Sequence, residues 1–248
     1  MIVSKVILTN WRNFSRVDVQ LGDRVFLVGP NAAGKSNFLE VFRFLRDIAK
    51  SEGGGLQNAI AEVGGLKKVR SLSARGKKND VEIEIHLSES AGQPTLWRYA
   101  IGLTQDEDGS KTRLVYEKVF QNGKQILDRP RDNPKDKADP ERMTETHLES
   151  PFTNQDFREV AKFFERVNYV HLVPQLVRHP ERFMASKITG EPFGLSFMDR
   201  LAKTAKGERT AFLKRVEKAL RIAVPQFKDL KYVEDDKGKP HIQVIYKH

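Results

Sequence analysis

Apolar and polar positions along this chain alternate, stop and change period several times, and those changes mark its elements. Val6 and Leu8 alternate with Lys5 and Ile7, and Val17, Val19 and Leu21 share one side of a second run, so a period of two predicts two strands. Gly22-Asp23 turns the chain. Arg24 to Val28 (RVFLV) is short and almost wholly apolar, the pattern of a strand buried on both faces of a mixed or parallel sheet. Beyond it the period lengthens: Phe38, Leu39, Val41, Phe42, Leu45 and Ile48 recur at helical spacing, predicting a helix to about Lys50 that Ser51-Glu52-Gly53-Gly54-Gly55 ends.

Alternation returns in the middle of the chain. Val81, Ile83, Ile85 and Leu87 alternate with Glu82, Glu84 and His86; Trp97, Tyr99, Ile101 and Leu103 repeat the pattern. Leu114 to Phe120 and Gln125 to Leu127 flank Asn122-Gly123, a favoured hairpin turn, so residues 80–127 predict an antiparallel meander. Residues 128–152 hold Pro130, Pro134, Pro140 and Pro151 among charges and read as a long loop. Asn154 to Val167 is helix-like, Tyr169 to Val173 a short strand before Pro174, and Phe197 to Val224 a helix pair. Leu230 to Val233 and Ile242 to Tyr246 form a closing hairpin. The expected fold is α/β: a nucleotide-binding lobe with a mixed sheet (1–79), an antiparallel β-subdomain (80–127), a loop (128–152), and a helical portion with the hairpin (153–248).

Composition narrows the class. The chain has 248 residues, 39% of them hydrophobic, enough for one large domain or two small ones. Its 43 Lys and Arg exceed its 33 Asp and Glu by ten, which raises the odds of a polyanionic partner, although many basic proteins bind none. The absence of Cys removes disulfides, thiolate metal sites and Cys nucleophiles. No apolar run approaches the roughly 20 residues of a membrane span, and a cytoplasmic location without a membrane partner is expected. The six histidines are scattered and make no zinc-binding pair. Ser196 lacks the second glycine of a nucleophile elbow and reads as a helix cap, while Trp97 and Tyr99 read as core.

The strongest chemical signal is Gly29-Pro30-Asn31-Ala32-Ala33-Gly34-Lys35-Ser36-Asn37, which matches G-x-x-x-x-G-K-S between an expected strand and an expected helix. Glycines at 29 and 34 let backbone N–H groups cradle a β-phosphate at a helix N-terminus. Lys35 would reach the β- and γ-phosphates, and the Ser36 hydroxyl would ligate Mg2+, so ATP and Mg2+ are the expected cofactors.

With Leu8-Thr9-Asn10-Trp11-Arg12-Asn13-Phe14 ahead of it, this loop resembles the N-terminal lobe of ABC-type ATPases of the RecF, SMC and OLD kind, with Trp11 standing where Phe is usual. The segment Tyr169 to Phe183 resembles, more loosely, small AAA-like ATPases of anti-phage systems, the Septu and retron-associated ones among them. The resemblance implies that Arg12 and Asn13 approach the nucleotide, and that a strand-borne Gln touches Mg2+ and the attacking water. Gln175 is the best placed for that role, and Gln57, with no strand before it, is the weaker choice. Lys35 and Gln175 are thus the catalytic candidates, Ser36 and Gln175 the metal ligands. The family's acidic pair and Ser-Gly-Gly signature are not found. The expectation is therefore an N-terminal lobe whose other half is deleted, proteolysed or supplied by a second subunit, acting as an ATP-dependent dimer in DNA repair or anti-phage defence.

Two other readings stay open: a nucleotide-gated module that controls an effector nuclease with little hydrolysis, and a P-loop kinase of small molecules. Lys67, Lys68, Arg70, Arg75, Lys77 and Lys78 put six cations into twelve residues without an acid, as contacts to a DNA backbone or as a solvated loop. Residues 198–221 carry eight basic and three acidic side chains and read as a helix face turned to solvent.

Overall fold

The computed structural model describes residues 1–72, 74, 80–106, 109, 111–171, 197–236 and 238–247. They fall into two compact units, Met1–Asn168 and Tyr169–His248. The first is built on one six-stranded sheet of β1 (Ile2–Trp11), β2 (Phe14–Gln20), β3 (Val81–Ser88), β4 (Trp97–Gln105), β5 (Thr112–Gln121) and β6 (Lys124–Arg129). Their order is β2-β1-β3-β4-β5-β6.

Period-two alternation does what it should here. Val81, Ile83, Ile85 and Leu87 of β3 are fully buried, as are Val6 and Leu8 of β1 opposite Ile85 and Ile83. Glu82, Glu84 and His86 line the opposite face, where Lys5 pairs with Asp18 at 2.9 Å. The buried face packs into one core with α1 (Lys35–Ala49), α2 (Leu56–Glu62) and α5 (Arg158–Glu165). Phe44, Leu45 and Ile48 of α1 are wholly inside, each worth roughly 1.5–3 kcal/mol of burial. A one-turn helix, α3 (Leu66–Val69), follows α2.

Four expectations are corrected. The α/β class is as expected, but the sheet formed by the described strands is antiparallel where a mixed one was expected, and the strands of 80–127 continue the β1–β2 hairpin through the β1–β3 pairing. Arg24 to Val28 is not a strand: Phe26 is 86% and Val28 92% exposed, and none of the described strands takes it as a neighbour. A run buried on both faces needs a strand on each side, and the six-stranded sheet ends in β2 and β6 without reaching it.

The third correction concerns 128–152, which is ordered by a buried polar network. Arg129, 1% exposed, donates from Nε to Asp136 on α4 (Pro134–Ala138), from Nη1 to Glu117 of β5 at 2.9 Å, and from Nη2 to the Arg142 carbonyl at 2.8 Å. Glu117 also accepts from Tyr99 Oη at 3.0 Å and from the His147 backbone N–H at 2.8 Å. Pro and charge made this stretch look solvated, and most of its charges are exposed, but Arg129 and Asp136 are buried and meet each other, as buried charges must. Glu149 adds a link by accepting from Leu56 N–H at 2.8 Å at the start of α2.

The second unit contains α6 (Phe197–Lys203), α7 (Lys206–Ala223) and the hairpin β7 (Phe227–Glu234) with β8 (Pro240–Tyr246), close to the expected helix pair and hairpin. Leu213 of α7 and Phe227 are buried, and Arg209 stacks on the Tyr232 ring at 3.9 Å. Tyr169–His171 is not a strand, and the rest of the strand expected to Val173 lies outside the described residues, as does Ser196.

Two groups of the network make stability acid-sensitive, against an opposing contribution from Glu117, whose carboxyl burial pushes above its ordinary range. Burial, and then the nearby Arg129 guanidinium, lower the His147 imidazole from 6.5 to about 4. The folded ring stays neutral while the unfolded one titrates near 6.5, so this contribution is complete above 6.5 and is lost as pH falls toward 4. Burial would raise Asp136, but hydrogen bonds from Arg129 and Arg142 outweigh it and hold the carboxyl below 3.8, adding a loss at still lower pH. Urea melts of the chain are expected to lose on the order of 1–3 kcal/mol between pH 7 and pH 4. In His147→Gln that loss should shrink; the same pH profile in both proteins would contradict the assignment.

Candidate nucleotide-binding site

The G-x-x-x-x-G-K-S segment lies where the sequence put it in one respect: it runs straight into α1. Ala32 (φ 64°) and Gly34 (φ 98°) take left-handed backbone conformations that turn the loop and release the helix at Lys35. A Cβ at Gly34 would lie 2.5 Å from Asn13 Nδ2 and 2.8 Å from Phe14 Cζ, so both the dihedral and the space require glycine.

The N-terminus of α1 carries no side-chain cap and no acid in its first turn. Phe38 N–H is the first to close a helical bond, to the Gly34 carbonyl at 2.9 Å. The N–H groups of Lys35, Ser36 and Asn37 have no acceptor among the described residues, at the positive end of a 15-residue helix. That arrangement is suited to an anion with several oxygens, such as a phosphate.

Lys35 Nζ donates to the carbonyls of Gly29 at 2.8 Å and Pro30 at 2.7 Å. An ammonium has three donors, so two brace the loop and one remains for a ligand oxygen. Ser36 is exposed beside it. A lone hydroxyl next to a phosphate cradle fits Mg2+, which takes few protein oxygens and completes its shell with water and phosphate.

The β1–β2 turn supports this loop from the core side. Trp11, fully buried, donates from Nε1 to the Asn37 carbonyl at 2.7 Å and packs on Phe44 with ring centroids 5.4 Å apart. Asn13 Nδ2 donates to the Ala33 carbonyl at 3.4 Å, and Asn37 Nδ2 to Asn13 Oδ1 at 2.9 Å. Arg12 turns along the flank of α1 instead. Its Nε donates to Glu40 at 2.8 Å and its Nη1 to the Lys68 carbonyl at 3.1 Å.

A family model described as "AAA domain, putative AbiEii toxin, Type IV TA system" matches residues 24–243, from the exposed apolar segment before the loop to the last hairpin. The chain belongs to this family. No curated protein matches it. Among solved structures, a chain described by "Structural biochemistry of ATP-driven dimerization and DNA stimulated activation of SMC ATPases." superposes with a TM-score of 0.33 at 12% identity, over 86% of this chain and 98% of that one.

Within this AAA domain the remaining sequence candidates separate. Gln175 and the basic residues Arg75, Lys77 and Lys78 lie outside the described residues. Lys67 and Lys68 are exposed on α3, while Arg70 is half-buried where its backbone bridges to Trp11. Gln57 is structural: its amide donates to the Thr112 and Thr144 carbonyls at 2.8 and 2.7 Å, joining α2 to β5 and to the segment after β6. Sequence reasoning did not find Glu40. Its place four residues after Ser36, on the same side of a helix, was the available signal.

Gly34→Ala is expected to destabilise the domain by roughly 1–3 kcal/mol in urea melts, through its dihedral and its contact with Asn13, and to remove nucleotide affinity. Parental stability and affinity in this variant would show that the loop adapts freely.

Proposed function

We propose that this chain is the ATP-binding lobe of an ATPase of the RecF/SMC/OLD kind, acting in DNA repair or anti-phage defence. The observation that carries the reading is the open N-terminus of α1, with Gly34 left-handed and the Lys35 ammonium centred on the loop carbonyls. In this reading Gly29 to Asn37 cradle the triphosphate, Lys35 neutralises its β- and γ-oxygens, and Ser36 holds Mg2+. Mg2+ would supply charge neutralisation between those phosphates. Arg12, tied to Glu40, reaches the nucleotide only by exchanging that ion pair for phosphate.

Phosphate-loop contacts stabilise the bound ground state, whereas rate requires groups that orient water and meet charge developing in the transition state. The exposed Val25 to Val28 strip supports a second half or subunit that supplies those groups by pairing with it, and Leu39, 44% exposed on α1, adds apolar surface on the same lobe. ATP would then drive association of two such assemblies, with DNA and an effector nuclease as the downstream partners and Gln175 contributing to the Mg2+ site. The rival reading, a nucleotide-gated module that scarcely hydrolyses ATP, is favoured by the engagement of Glu40 with Arg12, which leaves this nearby carboxylate committed to an ion pair.

Lys35→Ala should weaken ATP–Mg2+ binding by about 1.5–3 kcal/mol in calorimetry, at unchanged thermal stability. Equal affinity in the folded variant would refute the site. Phosphate release by the parental chain alone is expected to be negligible at saturating ATP. Robust turnover that disappears in Lys35→Ala would place the catalytic acid within these 248 residues.

A further inference from the structure

We infer that Asn13 and Asn37 are a positioning pair: joined amide to amide, they hold the phosphate loop in its binding conformation from behind, and their side-chain amides do not themselves bind the nucleotide. The inference rests on the nucleotide-binding reading above and specifies how that site is prepared.

The geometry gives each amide a task directed at the chain itself. Asn13 Oδ1 accepts from Asn37 Nδ2 at 2.9 Å, and Asn13 Nδ2 donates to the Ala33 carbonyl at 3.4 Å. The amide lies so close to Gly34 that a Cβ there would stand 2.5 Å from Nδ2 and 2.7 Å from Oδ1. Asn13 therefore packs against the residue whose left-handed backbone starts α1, and grips the carbonyl just before it. Asn37 is held in turn, because its carbonyl accepts from the buried Trp11 indole at 2.7 Å.

The turn that carries Asn13 is fixed from its other side. Asn10 (φ 55°) and Arg12 (φ 53°) both hold left-handed conformations that cost non-glycine residues energy and persist only where the surroundings impose them. Here the Asn10 carbonyl accepts from Ser71 N–H at 2.9 Å, Arg12 N–H donates to the Val69 carbonyl, and the Arg12 side chain binds Glu40 and the Lys68 carbonyl. The pair thus spans from a pinned turn to the first turn of α1. Its effect is to keep the N–H groups of Lys35 and Ser36 pointing at the place a phosphate would occupy, so that binding does not carry the cost of ordering the loop.

A double-mutant cycle separates this role from direct contact with nucleotide. ATP–Mg2+ affinity would be measured by calorimetry on the whole chain for Asn13→Ala, Asn37→Ala and the double variant, with thermal melts of each. Either single change should weaken binding about tenfold, or about 1.4 kcal/mol, and the double variant should be no weaker than the singles, because both remove one linkage. Two independent nucleotide ligands would instead multiply to about a hundredfold, which would overturn the inference. Unchanged affinity with lowered melting temperature would also overturn it, by making the pair a fold contact only. If an alanine variant fails to fold, the same cycle with Asn13→Ser and Asn37→Ser carries the same two alternatives. A parental chain that binds no ATP–Mg2+ would refute the nucleotide reading itself and this inference with it, whereas parental binding with independent or absent effects refutes the inference alone.

Discussion

The contact between Trp11 and α1 is what converts a sheet and a helix into a site. Trp11 ends β1, is wholly buried, meets Phe44 in the core, and spends its only polar group on the Asn37 carbonyl in the first turn of the helix. A large aromatic with one donor suits this position, since its area anchors the helix while its N–H sets the helix's axial position. Fixing α1 in this way fixes Lys35 and Ser36, because they are its first two residues. The loop before them can then be exposed and still be ordered, braced by Lys35 on one side and by Asn13 on the other.

A second constraint stabilises the side of the sheet remote from the loop. Arg129, Glu117 and Asp136 are three charges taken out of water, and such groups remain charged only where hydrogen bonds satisfy them. Glu117 has acceptor capacity for several donors and uses it on Arg129, Tyr99 and the His147 and Leu148 N–H groups. Removing one member would strand the others, a loss of about 3–5 kcal/mol for a buried pair broken on one side. The network therefore binds residues 128–152 to β5 and, through Glu149 and Gln57, to α2, so that the segments around α1 are held at both ends.

The domain combines this closed core with an open apolar strip. Val25 to Val28 carries strand-forming residues yet pairs with no described strand, and it leads directly into the phosphate loop. Exposed strand-like segments are liabilities that proteins normally cover, by another strand, a helix or charge. Its position makes any covering partner a neighbour of the bound phosphates, which offers a physical route for nucleotide and partner to influence each other.

Much of this molecule was legible in the residues. Period-two alternation located β1 to β4, the Asn122-Gly123 turn marked the hairpin of β5 and β6, and helical spacing located α1, α5 and the α6–α7 pair, because these signals are local and each residue's side follows from its neighbours. The phosphate loop was legible for the same reason, since glycine dihedrals and a helix N-terminus are properties of consecutive residues. What the sequence could not determine is pairing at a distance. RVFLV has the composition of a buried strand, but burial requires neighbours, and tertiary structure left it uncovered. Residues 128–152 have the composition of a loop, but Glu117 lies 12 residues before Arg129 on an adjacent strand and turns solvated charge into buried structure. Arg12 and Glu40 are 28 residues apart, and only the packing of β1 on α1 brings them together. Local chemistry was written along the chain, while the partner of each charge and the cover of each apolar face depended on the three-dimensional arrangement.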